Sequence, residues 1–316
     1  MKRKSVKRSI RLTGVFLIAV FIVLSIRYFH HEQFLKETKE FFIGNPIILM
    51  IVTISYLFSF ILRAEAWRLY LGKKVRFFSC LQGVLLSLFV NHIMPIKVGD
   101  AIRIGVLSWR EKNIKPEISA HSVIVLRVLD MFFLLLFSFI GLIALSRSFT
   151  IGYSLPMALI LLVIVLIGFL ILNKFRPPFL EKHIQLIKTS IASRNFTWII
   201  ILVALSWILE GAVVWGVTTS LGNGLPVYKA IWVNSITVGG QVFQITPGGI
   251  STYEAVMTAA LSSFHYPVKD SFMVALVSHS YKFIFSYFVG FLLLIHSPRT
   301  KINQIREILL MRGRPE

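Results

Sequence analysis

Long hydrophobic stretches constrain this sequence more than any other feature. A helix needs about 20 mainly apolar residues to cross the hydrocarbon core of a bilayer. Six stretches predict spanning helices: 12–26, 46–62, 123–145, 153–172, 197–218 and 272–295. Hydrophobic residues make up 56% of the 316 residues and charged residues only 15%, which excludes an ordinary water-soluble domain. The sequence predicts an all-α polytopic membrane protein with one transmembrane domain, 1–316.

The basic residues predict how the chain is oriented. Six lysines and arginines precede the first span, and five lie in each of 63–76, 97–115, 174–194 and 299–314. By the positive-inside rule all these segments, including the basic tail 297–316, are cytoplasmic. We therefore expect a multi-pass protein of the cytoplasmic membrane with both termini inside. The net charge of +20 does not indicate a nucleic-acid partner, because the basic residues lie between hydrophobic spans.

Two further hydrophobic stretches, 77–108 and 227–263, are interrupted by polar and helix-breaking residues. Given the predicted orientation, each stretch enters and leaves the membrane by the same face, and the two have opposite polarity. We expect two re-entrant helical hairpins, one in each half of an inverted repeat, with the halves at about 1–145 and 151–296. An ordinary kinked helix pair is the alternative.

Both interruptions combine proline and glycine with polar side chains. Proline removes a backbone donor and glycine permits unusual dihedral angles, so both break helices. Paired, broken segments in corresponding halves are typical of a transport site near the membrane midplane. The residues concerned are Asn91, Pro95, Gly99 and Asp100 in the first half, and Pro247, Gly248, Gly249 and Glu254 in the second.

At these residues the sequence resembles the lysylphosphatidylglycerol synthase transmembrane-domain family, the flippase-like part of the multiple peptide resistance factors and their stand-alone relatives. The resemblance covers nearly the whole chain. It rests on Arg63-Ala-Glu-Ala-Trp67-Arg68, on Asn91, Pro95, Gly99, Asp100 and Arg103, on Arg127-x-x-Asp130, and on Pro247-Gly-Gly-Ile-Ser-Thr-Tyr-Glu254. Relatives usually have glutamate at the positions of Asp100 and Leu126, and arginine at that of Lys282. The resemblance implies lipid movement without lipid aminoacylation, because only about 20 residues follow the last span.

Ionisable residues within spans, Lys282 of the last span among them, are functional candidates, because each is costly to insert into lipid. Arg127 and Asp130 lie on one helix face and form either a structural ion pair or part of a substrate site. Glu254 either complements a helix dipole, pairs with Arg127, Arg103 or Lys282, or carries a proton. Glu210 and His279 are better explained as interhelical packing groups.

A negatively charged head group is the ligand that the remaining features favour. Lys97 and Arg103 flank the first break, and helix amino termini at both breaks present unpaired N–H groups. Tryptophans lie mostly near span ends, as in aromatic belts, and we assign them no site role. No cofactor or metal is expected, since Cys80 is the only cysteine and no P-loop motif occurs.

Three classes of function follow from these features. The first is a lipid translocase for an anionic phospholipid, glycolipid or polyprenyl-linked lipid, driven downhill or by ions or protons through Asp100, Asp130 or Glu254. The second is a membrane enzyme acting on lipid. The third is an accessory subunit of a glycosyltransferase or lipid-modifying synthase, and a homo-oligomer is compatible with each.

Overall fold

The computed structural model describes residues 21–23, 25–72, 75–94, 97–144, 195–222, 224–241 and 246–295. Within these ranges the chain is all-helical, with ten α-helices and no β-strand. The predicted span 153–172 lies outside the described residues, as do most of span 12–26, Pro95 and the tail 297–316. The all-α class is thus confirmed for the described part of the chain.

The helices are numbered in chain order. Helices α1 to α5 are His31–Lys39, Pro46–Tyr70, Phe77–Ile93, Gly99–Arg110 and Pro116–Ala144. Helices α6 to α10 are Phe196–Glu210, Ala212–Ser220, Val227–Gly240, Thr252–Ser262 and Val268–Ile295. A π-helical turn, Glu40–Gly44, leads into α2, and a 3-10 turn, Pro247–Gly249, precedes α9.

Four helical lengths in the described residues are long and apolar enough to cross a membrane. They are Pro46–Tyr70, Pro116–Ile143, Phe196–Ser220 and Val268–Ile295, and they coincide with four of the six predicted spans. Helix α2 continues eight residues past the predicted end at 62. The hydrophobic stretch ends at 62 because Arg63 follows. The helix nevertheless carries Arg63 into the bundle, where its Nη2 lies 2.6 Å from Glu210 Oε2 and its charge is neutralised.

The bundle places apolar side chains outside and charged ones inside. Ile54, Phe132 and Phe288 are each more than half exposed on the outer surface. By contrast, Glu210 and Lys282 are 5% and 4% exposed. A water-soluble protein has the reverse distribution, so the described helices are built for a lipid solvent.

The first interrupted stretch forms a helical hairpin of α3 and α4, called the first hairpin below. Its two helices pack on each other, and the side chain of Asn91 accepts a hydrogen bond from the backbone N–H of Gly99 at 2.8 Å. A Cβ at Gly99 would lie 2.7 Å from the carbonyl oxygen of Ser87. Glycine is therefore needed here for close backbone approach between α3 and α4.

The second interrupted stretch forms α8, the 3-10 turn and α9, called the second hairpin below. Gly248 and Gly249 have φ of 63° and 80°, a region that side-chain-bearing residues rarely adopt. The amide of Gln241, one residue past α8, donates to the carbonyl of Gly248 at 3.1 Å. In both hairpins a side-chain amide thus binds backbone that the broken helix leaves free.

The two hairpins meet inside the bundle. Helix α3 packs against α10 and against the 3-10 turn of the second hairpin, while α8 packs against α5. Small residues permit these approaches: a Cβ at Gly290 of α10 would lie 2.3 Å from the ring of Phe89 on α3. In the described part of the two breaks, Gly99, Gly248 and Gly249 are consequently buried against protein.

Candidate functional site

A cavity of about 150 Å³ lies where the two hairpins meet. Helices α2, α3, α4, α5, α6, α8, α9 and α10 contribute to its wall, as do both hairpin breaks. Seven of the residues predicted for the site line it: Asn91, Lys97, Arg103, Arg127, Asp130, Gly248 and Lys282. Residues far apart in the sequence, from both interrupted stretches, therefore share one cavity.

One wall is a buried charge cluster centred on Glu210. Its carboxylate accepts from Arg63 Nη2 at 2.6 Å through Oε2 and from Lys282 Nζ at 3.0 Å through Oε1. Lys282 also donates to Asn234 Oδ1 at 3.1 Å, and the Arg63 guanidinium lies 3.9 Å from the centre of the Trp207 ring. The predicted packing role of Glu210 is consistent with this arrangement, in which one carboxylate joins three helices.

A second wall holds the pair Arg127 and Asp100. The guanidinium donates through Nε and Nη2 to the two carboxylate oxygens of Asp100, both at 3.1 Å. Asp130 lies farther away, with Oδ2 3.9 Å from Arg127 Nη1, and accepts instead from Trp207 Nε1 at 3.0 Å. The main partner of Arg127 is thus on the first hairpin, although Asp130 is its neighbour on α5.

Glu254 pairs with His279, not with the arginines or lysine considered from the sequence. Its Oε1 lies 2.6 Å from His279 Nδ1, and Oε2 accepts from the backbone N–H of Ser251 at 2.6 Å. His279 Nε2 lies 3.1 Å from the carbonyl oxygen of Gly248. Both ring nitrogens face acceptors, and only a doubly protonated ring donates to both. The helix-terminal role expected for Glu254 is also present, as a capping box.

Arg103 has a different environment from the other cations. It is 6% exposed, and its guanidinium lies 4.8 Å from the centre of the Trp67 ring. Its Nε is buried and has no hydrogen-bond partner among the described residues. Trp67 Nε1 donates to Ser122 Oγ at 2.8 Å, which fixes the ring. Trp67 and Trp207, assigned to aromatic belts from the sequence, are instead buried beside the cavity, where each covers the face of an arginine.

The remaining predicted residues stand behind the lining or outside the described chain. Gly99 and Asp100 bind the lining residues Asn91 and Arg127, while Pro247 and Gly249 belong to the 3-10 turn beside lining residue Gly248. Glu254 acts through His279, and Pro95 lies outside the described residues.

Several lining residues were not predicted as part of the site. Arg63 was assigned by charge counting to a cytoplasmic basic segment, although it lies within the Arg63–Arg68 motif of the resemblance; Tyr56, Trp207 and Gln241 carry no charge signal at all. In the described residues, no group of three or more His, Cys, Asp or Glu side chains is placed to hold a metal ion.

Comparison with known proteins identifies the family. The sequence model of the family described as the lysylphosphatidylglycerol synthase TM region matches residues 11–290. The UPF0104 membrane protein MJ1595 of Methanocaldococcus jannaschii is 26% identical and aligns with 93% of this chain and 96% of its own length. The UPF0104 membrane protein MJ1078 of the same organism is 24% identical, with 64% and 89% covered. No solved structure matches this chain with comparable statistical significance. The chain belongs to the lysylphosphatidylglycerol synthase transmembrane-region family.

Proposed function

We propose that this protein is a lipid translocase that moves an anionic phospholipid, glycolipid or polyprenyl-linked lipid across the cytoplasmic membrane. One observation carries the proposal: a cavity lined by cations and carboxylates lies inside an otherwise apolar bundle, at the point where two broken hairpins meet. Charges inside a membrane bundle are expensive and typically mark a substrate path. Broken helices at membrane depth are tolerated where they line such a cavity.

In this proposal the head group occupies the polar cavity while its hydrocarbon chains stay in the surrounding lipid. The hairpins are re-entrant and related as an inverted repeat, with both termini cytoplasmic, so that movement of one half against the other opens the cavity to either face. Support comes from the matching construction of the two breaks, each held by an amide side chain. The predicted spans 12–26 and 153–172 complete six crossings.

Arg127 is the group best placed to exchange partners during transport. It is about one-third exposed and binds Asp100 of the first hairpin, also about one-third exposed. A head-group phosphate competes with a carboxylate for the same guanidinium fork. Exchange of Asp100 for substrate couples head-group entry to movement of the first hairpin relative to α5.

A lipid-flipping experiment in proteoliposomes tests the function. Wild-type protein is expected to move a fluorescently labelled phosphatidylglycerol between leaflets, measured by the fraction protected from a reductant that cannot cross the membrane. Arg127→Ala is expected to slow flipping about tenfold or more, since one charge-assisted hydrogen bond contributes about 1.5–3 kcal/mol. Glu254→Ala should also slow flipping, because it removes the anchor of His279 at the second break.

The control is Lys112→Ala, which removes a positive charge from an exposed residue outside the cavity. Equal reconstitution of the three variants is checked by protein content and by elution in gel filtration. Wild-type liposomes that flip no faster than empty ones would contradict the translocase proposal. Unchanged flipping in both Arg127→Ala and Glu254→Ala would instead remove the cavity from the transport path.

A further inference from the structure

We infer that the cavity selects lipids with a net negative phosphate head group, held by Arg103 with Lys97 as the second cation, and that it rejects head groups made cationic by an attached amino acid. This inference rests on the proposed function and names its substrate class. The family description refers to lysylphosphatidylglycerol, whose head group carries a net positive charge. The charges of this chain's cavity point the other way.

The charges around the cavity do not cancel. Five cations line it: Arg63, Lys97, Arg103, Arg127 and Lys282. Three carboxylates oppose them, because Glu210 bridges Arg63 and Lys282, Asp100 binds Arg127, and Asp130 lies beside Arg127. His279 and Glu254 form a separate pair whose charges cancel when the ring is doubly protonated. Among the described residues, the cations around the cavity therefore outnumber the opposing carboxylates by two.

Arg103 and Lys97 differ from the other three cations that line the cavity. Of the five cations, these are the two with no carboxylate oxygen of a described residue within the 4.0 Å that defines an ion pair. The carboxylates of Asp100 and Asp130 act on the charge of Arg103 only from beyond ion-pair distance. Asp100 binds Arg127, and Asp130 binds Trp207. A guanidinium remains charged in proteins, and burying an uncompensated charge is strongly unfavourable. Arg103 thus retains a positive charge and a buried Nε–H donor that an anionic ligand can neutralise and bind.

The guanidinium of Arg103 is also held in place before a ligand arrives. The Trp67 ring covers it at 4.8 Å, and the neighbouring Gly83 makes room for that ring, since a Cβ there would lie 2.9 Å from it. Little side-chain freedom remains to be lost on binding, which favours affinity. A cavity of about 150 Å³ has space for a phosphate group, since one water needs only about 10–15 Å³ on the same measure.

Equilibrium binding to purified protein in detergent tests the inference without requiring transport. The probes are phosphatidylglycerol, its lysine ester, phosphatidylcholine with the same acyl chains, and inorganic phosphate, with binding followed by native mass spectrometry. We expect phosphatidylglycerol to bind about tenfold or more tightly than the lysine ester or phosphatidylcholine. Arg103→Gln and Lys97→Gln should each weaken that binding about tenfold, the contribution of one charge-assisted hydrogen bond, whereas Lys112→Gln should not.

Three results would overturn the inference: the lysine ester binding as tightly as phosphatidylglycerol, full binding by Lys97→Gln and Arg103→Gln, or inorganic phosphate binding as tightly as the lipid. Lys97 is only partly buried, so Lys97→Gln and the head-group ranking of the wild type remain decisive if Arg103→Gln fails to fold. Selective binding without flipping would refute the translocase and leave this site intact. Flipping with no preference among head groups would refute the selective site and leave the translocase proposal intact.

Discussion

At the scale of single residues, the sequence identifies charges that are out of place in lipid but not their partners. Lys282, Arg127, Asp130 and Glu254 stand out because hydrophobic residues surround each of them. Their main partners lie on other helices: Lys282 and Glu210, for example, are 72 positions apart. Pairing across such distances depends on how the helices pack. The spacing of charges along one helix therefore does not predict the partner.

Glu210→Gln is expected to destabilise the protein by about 3 kcal/mol or more. The substitution removes the only carboxylate within ion-pair distance of Lys282 among the described residues, and it leaves two buried cations facing each other. The free energy of unfolding in mixed micelles measures the loss.

Glu65→Gln is the matched control for Glu210→Gln. Glu65 pairs with Arg68 one turn away on the same helix, and both side chains are more than one-quarter exposed. Partly exposed pairs contribute about 1 kcal/mol or less, so stability should change little. Equal effects of the two substitutions would show that Glu210 has no special structural role.

At the scale of helices and hairpins, the sequence predicts the breaks well. The first hairpin extends over Phe77–Arg110 against the predicted 77–108, and the second over Val227–Ser262 against 227–263. Proline and glycine act locally, so their effect is readable from the sequence. Local rules do not show that Gly99 is required for contact with α3, nor that Gln241 secures the second break, because both depend on the neighbouring helix.

Gly99→Ala should destabilise the first hairpin by about 1–3 kcal/mol, the usual effect of overpacking. The added Cβ would lie 2.3 Å from Ser87 Oγ and 2.7 Å from the backbone carbonyl oxygen of Ser87, and backbone cannot move aside as a side chain can. The midpoint of thermal unfolding in detergent should fall.

Gly239→Ala is the corresponding control in the second hairpin. Gly239 lies within α8 with nothing within 4 Å of the added Cβ, and alanine favours a helix over glycine by up to about 1 kcal/mol. Its unfolding temperature should stay the same or rise. A drop as large as that of Gly99→Ala would refute the close-contact explanation.

At the scale of the whole molecule, the sequence predicts a topology with three membrane crossings between positions 112 and 224. Positions 112 and 224 are separated by α5, the predicted span 153–172 and the apolar length Phe196–Ser220. With these three crossings, the sequence predicts that the two positions lie on opposite faces of the membrane. The density of basic residues predicts a cytoplasmic position 112.

Cysteine labelling in whole cells tests this arrangement. In a Cys80→Ala background, Gly224→Cys should react with an impermeant maleimide added outside, whereas Lys112→Cys should react only after the membrane is permeabilised. Both positions are exposed, and a side chain at Gly224 meets no atom closer than 3.7 Å. Labelling of both positions from one face would disprove the three crossings.

The sequence by itself determined that lipid is the solvent, that the chain is helical, and where two hairpins break, because hydropathy and helix breaking act residue by residue. It also placed the chain in its family. Only the tertiary structure decided which charges neutralise each other and which do not. Arg63, counted as a loop charge, is paired inside the bundle, while Arg103 lies against Trp67 and makes no ion pair with any residue that the structure describes. Compensation of charge requires contact within a few ångströms, and packing alone determines which residues make it.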